Sequence, residues 1–234
     1  MRSIFILTFM DLTMENTKKN DFIEIKYTGF ANGQIFDSNI DDDLKKINDN
    51  AKAKETIIIV GQGMVVPGLD KALEGKEIGK DYEITVSVKE GFGERIRELV
   101  KTIPLRIFTE KNIDPRPGMV LALDNALAKI ITVSGARVVT DFNNPLAGKE
   151  LRYKFKIVKM VTDEKDKCNV VFDLLFRFVP KFEIKGKEVI AKGPKQLEIF
   201  VNALKDKFKE IIEKDLKFEL EEKAEKKEEE KENN

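Results

Sequence analysis

The chain contains no histidine. That removes the commonest general base, the commonest metal ligand and the side chain that ordinarily titrates near neutral pH. Its single cysteine, Cys168, excludes an intrachain disulfide framework and a thiolate-rich metal site, and suits a reducing compartment. A small apolar packing residue is the simplest role for it. Charge of one sign is also missing: Lys plus Arg and Asp plus Glu both number 42, so the formal net charge is zero. No global field draws the molecule to nucleic acid or to an anionic membrane, and neither is expected as a partner. Long hydrophobic runs are absent as well. The apolar stretch in MRSIFILTFM, residues 1–10, follows one Arg and ends at Asp11 without a small-residue cleavage site. It is short for a signal peptide and far too short to cross a bilayer, so a cytoplasmic protein is expected, with Met1, Met10 and Met14 all open as starts.

What is present is enough for packed cores: 234 residues, 41% of them apolar, which fits one large domain or two to three small ones. From Asp21, FIEIKYTG alternates, with Phe22, Glu24 and Lys26 on one face and Ile23, Ile25 and Tyr27 on the other, before the turn Ala31-Asn32-Gly33. This is a strand entering a hairpin whose second strand carries Ile35 and Phe36. Residues 40–55 lack apolar periodicity and read as a surface excursion with at most a short helix. The β-branched run Thr56 to Val60 ends at Gly61 and Gly63, and Pro67-Gly68 opens a short helix over Leu69 to Leu73. Tyr82, Ile84, Val86 and Val88 then alternate with polar residues as a half-buried strand.

After EGFG at 90–93 the character changes. A helical stretch with Ile96 and Leu99 leads to PLRIF and the loop DPRPG, and residues 119–140 read as a β-meander broken at Asp124-Asn125 and Ser134-Gly135. LRYKFKIVKM, with Leu151, Tyr153, Phe155 and Ile157 in alternation, marks a returning strand. TDEKDK at 162–167 reads as a charged linker. Beyond it, VVFDLLFRFV and KFEIKGKEVI, folded at Lys185-Gly186, read as a hairpin. An amphipathic helix follows, with Leu197, Phe200, Val201, Leu204, Phe208, Ile211 and Ile212 on one stripe. So small a region with so many Phe side chains suggests burial against a second copy. Residues 221–234 are almost wholly Glu, Lys and Asn and read as a frayed helix or disordered tail.

Four motifs in order, YTGFANGQIFDSN, GQGMVVPGLDKALEGKEIGK, EGFGER and DFNNPLAGKELRYKFKIV, closely resemble the FKBP-type peptidyl-prolyl cis/trans isomerases, in particular the SlyD-like and long archaeal branch. The resemblance spans about residues 21–160, a length that suits one domain carrying an insertion. It implies an α+β fold: a twisted antiparallel sheet wrapping a short helix, an inserted small β-rich domain, and a C-terminal α+β domain. The expected organisation is an N-terminal extension over 1–17, an isomerase domain over 18–93 plus 146–162, an insert-in-flap chaperone domain over 94–145, a C-terminal domain over 165–220 that could dimerise, and a charged tail over 221–234.

Position by position, the resemblance implies a prolyl pocket formed by Tyr27, Phe36, Asp37, Val65, Val66, Leu69, Phe92, Leu146 and Tyr153. The backbone N–H of Val66 would anchor a substrate carbonyl, and Asp37 would accept from the Tyr27 hydroxyl. Phe92 stands where many members carry Tyr and Leu69 where the best-known eukaryotic members carry Trp, which implies weaker binding of macrocyclic inhibitors with less effect on isomerisation. The His- and Cys-rich tail of nickel-binding relatives has no counterpart here, so no metal and no cofactor is expected. The implied partners are unfolded or partly folded proteins and proline-containing peptides. Two functional readings remain open at this point: an isomerase with an attached chaperone module, and a non-catalytic holdase that only grips peptides.

Overall fold

The computed structural model describes residues 16–123 and 126–221. The expected start sites, most of the N-terminal extension, the Asp124-Asn125 turn and nearly all of the charged tail lie outside the described residues.

The first unit runs β1 (Phe22–Ala31), β2 (Gln34–Ser38), α1 (Asp41–Leu44), β3 (Thr56–Ile59), α2 (Pro67–Leu73) and β4 (Asp81–Val86). Asn32 and Gly33, both at positive φ, make the β1–β2 turn, the backbone region that Asn-Gly dipeptides favour. α2 begins where Pro67 occupies the first turn, its fixed φ suited to a helix start and its missing N–H no loss there. A 3₁₀ turn at Val88–Glu90 takes Val88 out of the β4 strand expected from its alternation.

The chain then enters a second sheet: β5 (Val100–Pro104), α3 (Leu105–Glu110), β6 (Val120–Leu123), β7 (Ala126–Ser134) and β8 (Arg137–Asp141), in the order β5-β8-β7-β6. The expected meander is three of these strands; β5 adds a fourth at the edge. Phe108 from α3 is fully buried with Ala128, Ile130 and Val138, giving this sheet a core of its own.

β9 (Leu151–Met160) returns to the first sheet and lies between β1 and β4, antiparallel to both. The sheet order is β2-β1-β9-β4, with β3 sharing the β1 edge with β2. Leu151, Tyr153, Phe155 and Ile157 of β9 join Ile23 and Ile25 of β1 on one face, and Leu69 and Leu73 of α2 pack against them. Fully burying each such leucine is worth roughly 1.5–3 kcal/mol, which is what seats so short a helix.

The third unit comprises α4 (Glu164–Phe176), β10 (Lys181–Lys185), β11 (Glu188–Gly193), α5 (Lys195–Ile212) and β12 (Asp215–Leu220). Two expectations fail here. TDEKDK is not a linker: the Asp163 side chain accepts from the Asp166 N–H at 2.9 Å and caps α4, whose exposed first turn supplies the charges. VVFDLLFRFV is not a strand either. Cys168, Val171, Phe172 and Phe176 are buried at spacings of three and four, one face of a helix, and the hairpin is β10–β11 alone, turned at Gly186.

Most of the α5 stripe is satisfied within the same chain. Leu197, Val201, Phe208 and Ile211 are buried with α4, while Phe200 stays half exposed. This core also takes in Phe22 of β1, Ile59 of β3 and Val161. The third unit thus covers the outer face of the first sheet at its β1–β3 corner.

Candidate active site

β1 and β2 place the opening motif. Gly29 pairs with Asp37 on one side and with Tyr153 of β9 on the other, and the β1–β2 register shifts between Gly29 and Phe30. Several short polar contacts hold this edge. Asn39 accepts from the Tyr27 N–H and donates to the Ile25 carbonyl, both at 2.7 Å, so its side chain continues the ladder where β2 has ended. Ser38 donates to the Tyr27 carbonyl, and Thr28 donates to Asp43 at 2.8 Å.

Phe36 extends from β2 over the sheet. Its ring stands edge-on to Tyr153, centroids 5.8 Å apart, and edge-on to Phe92, 6.2 Å apart. Tyr27 and Tyr153 are tilted neighbours at 6.4 Å. Edge-to-face pairs at such spacings are favoured by the ring quadrupoles. Leu69 and Tyr153 are buried and form a floor, while Tyr27, Phe36, Val65, Val66, Phe92 and Leu146 are half-buried and pack on the same cluster. A buried floor under half-exposed walls is an apolar cleft open to solvent. The nine expected residues therefore come together: eight in this cluster, with Asp37 exposed at its edge.

The Tyr27 hydroxyl donates to Asp37 Oδ2 at 2.8 Å. Burial, and then the bonded carboxylate, push the Tyr27 hydroxyl well above the ordinary tyrosine value. Burial first, with the charge of Asp37 adding to it, raises Tyr153 to about 12. Both phenols are therefore neutral near pH 7, able to donate and unable to act as bases.

Two further residues escaped the sequence reading. Asp70 on α2 is buried and accepts from the N–H groups of Gly61 and Gly63, both at 2.9 Å, which fixes the loop that delivers Val65 and Val66. Its signal was available as an Asp one turn into a helix beside a Gly-rich loop. Val66 ends that loop in extended backbone (φ −57°, ψ 144°) before α2, and among the described residues its N–H forms no hydrogen bond. Gly29 is the second; a side chain there would run into the Phe36 ring.

A model of the FKBP-type peptidyl-prolyl cis-trans isomerase matches residues 14–108, and one of the "FKBP26, IF domain" matches residues 101–146. A short-type peptidyl-prolyl cis-trans isomerase of Methanocaldococcus jannaschii is 34% identical over 143 residues, covering 60% of this chain and 91% of that protein. The chain belongs to the FKBP-type isomerases. It is an isomerase of peptidyl-prolyl bonds, so of the two functional readings the enzyme stands. The FKBP-type isomerase SlyD of Haemophilus influenzae is 34% identical over 116 residues, 47% of this chain and 60% of that protein, and SlyD of Escherichia coli K12 is 28% identical over 102 residues, 42% and 52%. Both family matches end by residue 146, short of the unit that begins at α4.

Among the described residues no cluster of His, Cys, Asp and Glu has the geometry to hold a metal ion, and no helix is long and apolar enough to cross a membrane. What the FKBP cleft offers chemically is apolar walls, one carboxylate and one unused backbone donor.

Proposed function

We propose that this isomerase accelerates proline-limited steps of protein folding, holding unfolded segments on its inserted sheet while the aromatic cleft turns Xaa-Pro bonds. The observation that carries the reading is the cleft itself, where Phe36, Phe92 and Tyr153 meet edge to face above Leu69 with Asp37 at the rim.

Rotation about the prolyl amide must cross a barrier of about 18–20 kcal/mol, which exists because twisting destroys amide resonance. No nucleophile, metal or proton transfer is required to lower it. The twisted amide has less charge separation than the planar one, so a dry apolar surround favours it. In this reading Phe36, Val65, Leu69 and Tyr153 clamp the prolyl ring, with Phe92 and Leu146 closing the walls. The Val66 N–H donates to a substrate carbonyl, held at its position by Pro67 and, through the loop, by Asp70. Asp37, oriented by the Tyr27 hydroxyl, faces the rotating carbonyl as its one polar neighbour; it takes no proton.

The insert, read as residues 94–145, serves as the chaperone part. Ile96, Val100, Val120, Leu127 and Ile131 are exposed on or beside its sheet, and exposed apolar patches of this kind mark interaction sites. Tethering a client there raises the local concentration of its prolyl bonds at the cleft. A variant with residues 97–142 replaced by a short glycine linker tests this. The ends of the excision already meet, since Asn143 accepts from the Ile96 N–H at 2.8 Å and donates to its carbonyl at 3.0 Å. Turnover of short prolyl peptides is expected to survive and catalysis of unfolded-protein refolding to fall steeply. Equal loss on both substrates, with the fold intact, would refute the division of labour.

A second reading concerns assembly. Phe178, Val179, Ile199 and Phe200 are exposed on the third unit, with the Phe176 ring centroid 6.0 and 6.4 Å from those of Phe178 and Phe200. This patch, rather than the largely buried α5 stripe, would carry a homodimer. Sedimentation of wild type and Phe200→Glu tests it; monomers in both cases end the idea. The proposed location is the cytoplasm, where the buried Cys168 stays a thiol.

A further inference from the structure

The cavity of about 290 Å³ beside the insert does more than mark an exposed patch. One wall is the outer face of the inserted sheet, with Val120, Leu127 and Ile131 at 57%, 67% and 39% exposure. The other wall is the returning segment, including Asn143, Pro145 and Ala147. Leu146, between those last two, packs instead on the cleft cluster of Leu69 and Tyr153. Successive Cα atoms are only about 3.8 Å apart, so the turn at 145–148 borders the cavity on one side and, through Leu146, the Leu69–Tyr153 cluster on the other.

The charge around the cavity has a sign. Its one carboxylate, Asp141, is taken by Arg95 and by the Asn143 N–H. Burial alone would raise that carboxyl; Asn143 and Arg95 outweigh it and hold the group below the ordinary Asp value, so it stays ionised and paired. Lys129 and Lys149 remain on the lining with no ion pair among the described residues. The volume is at the bottom of the range for small-molecule pockets, room for one large side chain rather than a folded surface.

We infer that this cavity is an apolar subsite for the same polypeptide that presents its prolyl bond to the cleft, and that it selects segments in which a large apolar residue lies beside acidic residues. The inference rests on the reading of the insert as the part that binds unfolded chains, and it names the substrate class that part prefers.

The test uses the full-length protein and labelled peptides carrying one proline and one Phe several residues away, the Phe flanked by two Glu or by two Lys. Two exposed charge pairs predict that the Glu-flanked peptide binds about threefold to tenfold more tightly at low salt, and that the gap closes as salt rises. The double variant Lys129→Glu with Lys149→Glu should reverse the order, while Leu127→Ser weakens both peptides. Equal affinity for the two peptides in wild type and in the charge-reversed protein, with Leu127→Ser still weakening both, overturns the acidic preference and leaves the insert reading standing. If Leu127→Ser and Val120→Ser together weaken neither peptide, the insert reading itself falls.

Discussion

Gly29 and Phe36 are fitted to each other: a Cβ on Gly29 would stand 2.7 Å from Cζ of the Phe36 ring, and 3.0 Å from Cε1 of Tyr153. The absence of a side chain on β1 is what lets the Phe36 ring lie against the sheet. Gly29→Ala should therefore displace the ring, lowering kcat/KM on prolyl peptides by about tenfold while costing about 1–3 kcal/mol of stability, the usual range for overpacking. Peptide kinetics and urea denaturation read the two effects separately. Unchanged kinetics would mean that the ring's position does not matter to turnover.

Asp70 makes a different kind of prediction, because it touches the site only through the loop. Asp70→Ala leaves the Gly61 and Gly63 N–H groups without their acceptor. Some of that cost is relieved by water, since the loop is partly exposed, and a loss of about 2–3 kcal/mol is expected. KM for prolyl peptides should rise more than kcat falls, since Val65 and Val66 are the residues set loose. Amide exchange of Gly61 and Gly63 measures the loosening directly.

In the insert, the hydroxyl of Thr140 is fully buried without a partner among the described residues. Val has nearly the same shape and no polar atom, so Thr140→Val should raise the unfolding free energy by about 1 kcal/mol. Thermal or urea unfolding checks it; a destabilised variant would imply a partner for that hydroxyl.

Alkaline pH bears on the two cleft tyrosines. An unfolded tyrosine releases its proton near 10, whereas Tyr153 in the fold holds its own to about 12 and Tyr27 is raised as well. Above pH 10 the unfolded state therefore binds fewer protons than the folded one. The stability these groups contribute is intact below pH 10 and is lost as pH climbs through 12. Tyr153→Phe should flatten the decline between pH 10 and 12 and remove a late step from the ultraviolet titration.

Much of this was legible in the sequence for a physical reason. β1 and β9 alternate with period two because one face of each is buried, so Ile23, Ile25, Tyr153 and Phe155 announce both strand and core. The cleft residues sit in short motifs whose turn chemistry, Asn32-Gly33 and Pro67-Gly68, fixes them locally. What stayed hidden depends on contacts between distant parts. The Val170-Val171 pair favours a strand on propensity, and only packing against α5 and the sheet makes α4 a helix. Phe22 shares its face of β1 with Glu24 and Lys26, and its burial depends on the third unit packing there. Gly29 carries no pattern, and Asp70 shows only as an acid one turn into a helix beside a Gly-rich loop; their meaning lies in the ring and the loop that fold against them.

The most direct test of the whole account is refolding of a protein limited by a trans-to-cis prolyl step, followed with substoichiometric wild type, Phe36→Ala and Asp37→Ala. Wild type is expected to speed the slow phase catalytically and Phe36→Ala to lose at least about tenfold of that rate, with Asp37→Ala impaired to a lesser degree. Identical acceleration by all three proteins, each shown to be folded, would contradict it.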